Sequence, residues 1–141
     1  MLFSYIHSRQ SISFAKMVAV ITKRQTIGWR EWAGLPSFNV KKIKSKIDTG
    51  AKTASLHAEQ IEMFPNKGKE FVRFVLFPKQ KQIRNRRIVV AEVIDFRKVR
   101  SSNGVSELRP VIRTEIMLGR HRWEIEVTLT NRDLMGFRML L

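Results

Sequence analysis

Lys46-Ile-Asp-Thr-Gly-Ala-Lys-Thr-Ala-Ser-Leu-His-Ala58 (KIDTGAKTASLHA) follows an apolar-basic alternation through Val40, Ile43 and Ile47 and precedes the apolar stretch LHAEQIEMF. An Asp at the end of such a run, followed by a small hydroxyl residue and a glycine, suits two jobs. It makes a tight turn between strands. It also makes an exposed loop that presents a carboxylate, with Thr49 bonding locally and Gly50 leaving room where a side chain would obstruct a substrate. The tripeptide alone favours the turn, because Asp, Thr and Gly are common turn residues.

The surrounding chain reads as strands. TIGWREW predicts a first strand, broken by Gly-Leu-Pro. VKKIKSKI predicts a second, LHAEQIEMF a third ended by the turn PNKG, and EFVRFVLF a fourth covered on both faces. RRIVVAEVIDF follows, then the turn signal SSNG. RPVIRTEIML, GR and HRWEIEVTLT read as a β-hairpin, with Trp123, Ile125, Val127 and Leu129 on the period-2 pattern. NRDLMG predicts a loop or one helical turn, and FRMLL a short strand. With no internal repeat and no low-complexity linker, the reading is one all-β domain.

Composition bounds the partners. The 141 residues suffice for one domain with a core. There is no cysteine, hence no disulfide and no thiolate-bound zinc. The net charge is +15 and the pI about 11.2, which favours acidic partners: nucleic acid, anionic lipid or acidic peptide. The densest basic stretch is Lys79–Arg100, which reads equally as a solvated face or a binding surface. No apolar run approaches the roughly 20 residues of a membrane helix, and no membrane partner is expected. Residues 1–25 are expected to be a poorly ordered extension, with Met17 opening the stretch that reads like a domain start.

IGWREWAGLP, KIDTGAKTASLHA, RPVIRTEIMLG and EVTLTNRDLMGFRMLL together resemble, in order, the bacterial family named ATP-dependent zinc protease and grouped as retropepsin-like aspartic endopeptidases. The resemblance covers residues 26–141. It implies a closed pepsin-type β-barrel with Asp48, Thr49 and Gly50 in the catalytic loop. It also implies a link to ligases that add glutamates to a ribosomal protein. In the family the equivalent of FRMLL runs on into Gly-Arg, whereas this sequence ends at Leu141, so a C-terminally truncated barrel is expected.

Two carboxylates about 3 Å apart share one proton, which leaves one as base and one as acid. Only one Asp-Thr-Gly is present, and Asp95 and Asp133 lack the small-Gly pair, so a homodimer with Asp48 from each copy is expected. Substrate-contact candidates are Ala51, Lys52, His57, Arg109, Arg132 and Arg138. The arginines suit a substrate carboxylate, or equally a bridge to Asp133 or a loop network.

No His-Glu-x-x-His is present, and His57 reads as a half-buried strand residue rather than a ligand shared with Asp48 and His121. DTGAKT lacks the first glycine of a P-loop, and its Lys is one place late. No cofactor is expected. Trp29, Trp32 and Trp123 read as core or dimer contacts. The competing reading is a basic ribosome- or RNA-associated module using Arg84, Arg86 and Arg87, with a non-catalytic Asp loop; the chain carries no RNP or GXXG motif. Absence of Cys, absence of a signal peptide and the resemblance point to the cytoplasm.

Overall fold

Period-2 alternation of Ile, Val, Phe and Leu with charged residues builds strands along almost the whole described chain. The computed structural model describes residues 26–79, 82–101, 103–131 and 136–141. The strands are β1 (Arg30–Leu35), β2 (Val40–Lys46), β3 (Ala54–His57), β4 (Glu59–Asn66), β5 (Lys69–Leu76), β6 (Arg87–Arg100), β7 (Ser106–Leu118), β8 (His121–Thr130) and β9 (Met139–Leu140). Only two short 3-10 turns, Pro36–Phe38 and Ile83–Asn85, add helical character among the described residues. The expectations for residues 1–25 and for Arg132–Met135 lie outside the described residues.

The strand order is β1-β2-β9-β3-β8-β7-β6-β5-β4, and β1 also pairs with β7. That extra pairing, Ala33 with Leu118 and Gly34 with Met117, closes β1, β2, β9, β3, β8 and β7 into a six-stranded barrel. Closure removes the exposed edges that a flat sheet would leave. The barrel is filled by Ala33, Leu35, Ile43, Leu56, Ile112, Ile116, Val127, Leu129 and Met139, all buried. Each large apolar side chain so buried contributes about 1.5–3 kcal/mol.

From β7 the sheet continues outward as β6-β5-β4. The inner face of this extension, Val72, Phe74, Leu76, Val89 and Val93, joins the barrel core, and Phe38 meets Phe74 edge-on at 5.9 Å. The expectation that β5 is covered on both faces holds for one face only. On the other, Val75 is buried but Arg73 is exposed and pairs with Glu62.

LHAEQIEMF is two strands rather than one. β3 belongs to the barrel and β4 to the extension. The chain changes direction at Ala58, whose amide bonds Thr130 O at 2.9 Å, and at Gln60, held at φ 51°. A left-handed glutamine carries no sequence signal, which is why the break is invisible to pattern reading. The PNKG turn is where expected: Lys67 and Gly68 have φ of 52° and 76°, the doubly positive pattern of a type I′ hairpin turn. The β7–β8 hairpin through Gly119-Arg120 is likewise as read.

Candidate active site

β2 runs up to the Asp-Thr-Gly loop, and β9 lies parallel beside it, with Ser45 opposite Met139 and Lys46 opposite Leu140. The ladder continues into the loop itself. Leu141 N donates to Lys46 O at 2.9 Å, and Asp48 N donates to Leu141 O at 2.7 Å. On the other flank Ile47 N donates to Trp29 O at 2.9 Å. The backbone leading into Asp48 is therefore held from both sides by main-chain bonds, which fix it without reference to side-chain identity.

Beyond Asp48 the chain turns tightly, with Ala51 N bonded to Asp48 O at 3.1 Å. Gly50 N donates to Asp48 Oδ1 at 3.1 Å. One carboxylate oxygen is thus oriented by its own loop, an Asx-type turn, and Asp48, Thr49, Gly50, Ala51 and Lys52 are all exposed. Two expectations change here. Thr49 makes no side-chain hydrogen bond among the described residues; the local bond that stiffens the loop comes from the Asp48 carboxylate. Gly50 is not among the glycines at positive φ, and a Cβ placed on it would meet only Asp48 Oδ1, at 3.5 Å. Nothing in this chain demands glycine there, so the open space above Gly50 is available to whatever approaches from outside.

The remaining candidates gather elsewhere. His57 is buried at the end of β3, its amide bonded to Arg138 O at 2.9 Å and its Nε2 3.5 Å from Glu59 Oε1. Arg109 is buried on β7 with its Nε on Glu107 Oε2 at 2.9 Å, and Thr130, the β3-side neighbour of His57, reaches the same carboxylate at 3.5 Å. Arg138 bonds Lys44 O through its amide, and its buried Nε has no hydrogen-bond partner among the described residues. β3 runs from the Asp48 loop down to His57, so these groups sit at the far end of that strand from Asp48. Arg132 lies outside the described residues. Asp48, His57 and His121 do not converge, and among the described residues no three His, Asp or Glu side chains gather as a metal site would require.

Pattern reading missed a charged network beside the loop. Arg97 on β6 bonds Thr53 Oγ1 at 3.4 Å, Asp95 Oδ2 at 3.3 Å and the Glu126 carboxylate. Arg113 reaches Glu126 Oε1 at 3.5 Å. The hydrogen bond to Glu126 raises the Arg97 pKa, and the Arg97 guanidinium lowers that of Glu126. β6 and β7 pair from Val93–Ile112 to Arg100–Ser106, whereas β8 joins β7 only from Val111 onward. Residues 94–110 therefore extend past the barrel as a two-stranded arm whose base Arg97 ties to the Asp48 loop.

The tryptophans are not core. Trp29, Trp32 and Trp123 are 60%, 55% and 43% exposed. Trp29 stands beside the loop entrance, and the outward faces of β1 and β2 carry Trp32 opposite Lys44 and Arg30 opposite Lys46.

A six-stranded barrel with a parallel strand beside an exposed Asp-Thr-Gly loop defines a retropepsin-like domain. Comparison with known proteins agrees: the chain belongs to the family described as retropepsin-like aspartic endopeptidase RimB, whose model matches residues 26–141. It is 48% identical over 118 residues to a Shewanella halifaxensis protein named probable alpha-L-glutamate ligase, covering 82% of this chain and 25% of that one. A Parasynechococcus marenigrum protein of the same name is 40% identical over 124 residues, covering 86% and 26%. The chain thus spans about a quarter of the length of these curated relatives. Among solved structures, Legionella pneumophila protein Lpg0085, of unknown function, matches with TM-score 0.62 and 32% identity over 81% of this chain and 80% of that one. No helix among the described residues is long and apolar enough to cross a membrane.

Proposed function

We propose that this domain hydrolyses peptide bonds in acidic, glutamate-rich segments, using Asp48 paired with Asp48 of a second copy. The observation that carries the reading is the Asp48 loop: an exposed carboxylate, fixed by backbone bonds on both flanks, with one oxygen oriented by Gly50 N. Such a carboxylate is positioned but incomplete, since the chemistry takes two. When two approach across a two-fold axis they hold one proton between them. The ionised member takes a proton from water, and the water oxygen attacks the peptide carbonyl. The protonated member donates to the carbonyl oxygen. The tetrahedral intermediate then breaks its C–N bond, with a proton passing to the leaving amine.

Two features support acidic substrates. Lys52 lies in the loop, Lys46 and its partner Arg30 lie just before it, Lys44 lies one pair further back along β2, and none is in an ion pair among the described residues. The relatives' name, glutamate ligase, belongs to chains in which a matching segment is joined to a longer polypeptide. The second reading, a basic module for ribosome or RNA in the cytoplasm, draws on Arg84 and Arg86, which are exposed.

The test is hydrolysis of a glutamate-tailed peptide, read by mass spectrometry, for this chain and its Asp48→Asn form, each with and without a chelator. Cleavage lost with Asn and indifferent to chelator supports the aspartic mechanism. Full cleavage by Asp48→Asn sinks it, and cleavage lost to chelator moves the chemistry to a metal. Binding of RNA that falls on charge reversal at Arg84, Arg86 and Arg87 but ignores Asp48 favours the second reading.

A further inference from the structure

The outward surface of β1, β2 and the residues leading into β9 carries cations that are already held in place. The Arg30 guanidinium lies 4.1 Å from the centroid of the Trp29 ring. The Lys44 ammonium lies 5.2 Å from that of Phe137. The two rings meet edge-on, 6.2 Å apart, so the four side chains form one continuous row. Lys46 faces Arg30, and Trp32 faces Lys44, across the same pair of strands. The nearest carboxylate in sequence, Glu31, accepts from Gly28 N and makes no ion pair with Arg30. The row starts next to the loop, because Trp29 O receives the amide of Ile47, one residue before Asp48.

Long cationic side chains on a surface ordinarily lose rotamer freedom when they bind. A ring under each head group removes part of that freedom beforehand and leaves the charge facing water. The same contacts argue about the ligand. Arg30 already occupies a face of Trp29 and Lys44 a face of Phe137, so the rings are props for cations rather than open platforms for nucleobases. What remains on offer is positive charge at strand-like spacing, which matches a run of carboxylates on an extended peptide.

We infer that Arg30 and Lys44, propped on Trp29 and Phe137 and joined by Lys46, form an anion-binding ledge that holds the acidic stretch of a peptide beside the Asp48 loop. The identity of the ligand rests on the peptidase reading; the ledge does not need turnover to be detected.

The experiment measures binding by the Asp48→Asn form of the 141-residue chain to a fluorescein-labelled decaglutamate, by anisotropy at moderate salt. Arg30→Gln with Lys44→Gln is expected to weaken binding by about tenfold or more. Trp29→Ala, which keeps every charge, is expected to weaken it by about threefold, and Trp29→Phe to restore it. Lys67→Gln with Lys69→Gln removes as much charge at the tip of the β4–β5 hairpin, in the outer extension of the sheet, and is expected to change affinity by less than about twofold. Equal losses in the two double variants overturn the ledge, as does an unaltered affinity for Trp29→Ala. A decauridylate that binds more tightly than decaglutamate through Arg30 and Lys44 overturns the peptide assignment. Cleavage of the same peptide by the unsubstituted chain is read separately: binding at the ledge without cleavage supports the ledge and counts against the peptidase.

Discussion

Ser55 and Thr128 put two hydroxyls 2.9 Å apart between β3 and β8, with Thr128 Oγ1 also 3.2 Å from Ala54 O. Both residues are buried. Removing one hydroxyl leaves the other without its partner, so Thr128→Val is expected to destabilise by about 1–3 kcal/mol, whereas the double change Ser55→Ala, Thr128→Val is expected to recover much of that loss. Urea unfolding of the three proteins checks it. Nothing in TASLHA or VTLTN announced this bond, because the partners are 73 residues apart and meet only through the parallel β3–β8 register. The turn at Asp48 was legible for the opposite reason, although the bond that stiffens it was expected from Thr49 and comes from the Asp48 carboxylate. Its loop is local: the carboxylate, the amide that orients it and the glycine all lie within three consecutive residues. Trp29 and Trp32 read as core or dimer contacts, and their exposure removes the first of these alternatives, which rested on large aromatic residues being ordinarily buried.

At the scale of elements, β9 is the smallest strand and the one on which the loop depends. Met139 is fully buried between β2 and β3, and Leu141 supplies the carbonyl that receives the Asp48 amide. Met139→Ala is expected to cost about 2–5 kcal/mol and to speed hydrogen exchange at Asp48 more than at the core amides of β7. The Arg97 network gives the matching prediction for the arm. Glu126 has its pKa lowered below its ordinary 4.5, first by the hydrogen bond from Arg97. A carboxylate with a depressed folded pKa adds stability above its unfolded value and loses it as pH falls through the folded one. Unfolding of the natural chain is therefore expected to show a loss of stability below about pH 4.5 that is smaller in Glu126→Gln, the protein that lacks this proton uptake. The hairpin, the strand periods and the turns at Lys67-Gly68 and Gly119-Arg120 could be read from sequence because each is set by neighbours along the chain. The closed barrel was expected from the family resemblance alone; the β1–β7 pairing that closes it, the insertion of β9 between β2 and β3, and the division of LHAEQIEMF between two sheets could not be read from the residue pattern, because each is decided by contacts distant in sequence.

At the scale of the whole molecule, the proposed chemistry is absent from any single copy, and that gives it a quantitative signature. If each active site takes one Asp48 from each of two chains, an Asp48→Asn chain destroys every mixed dimer it enters. With free exchange of subunits at fixed total protein, activity follows the square of the natural fraction, so an equal mixture retains about a quarter of the starting rate. If each chain acts alone, the same mixture retains about half. Dilution separates the cases again: a two-chain site loses specific activity below the dimer dissociation constant, and a one-chain site does not. The net charge of +15 makes two copies repel. Screening by added salt is thus expected to favour the dimer while weakening capture of an acidic peptide on the Arg30–Lys44 ledge. Rate against salt is expected to rise and then fall when enzyme is dilute, and only to fall when enzyme is concentrated enough to be fully paired. A salt profile that falls identically at both concentrations, together with a linear mixing curve, would exclude the paired site.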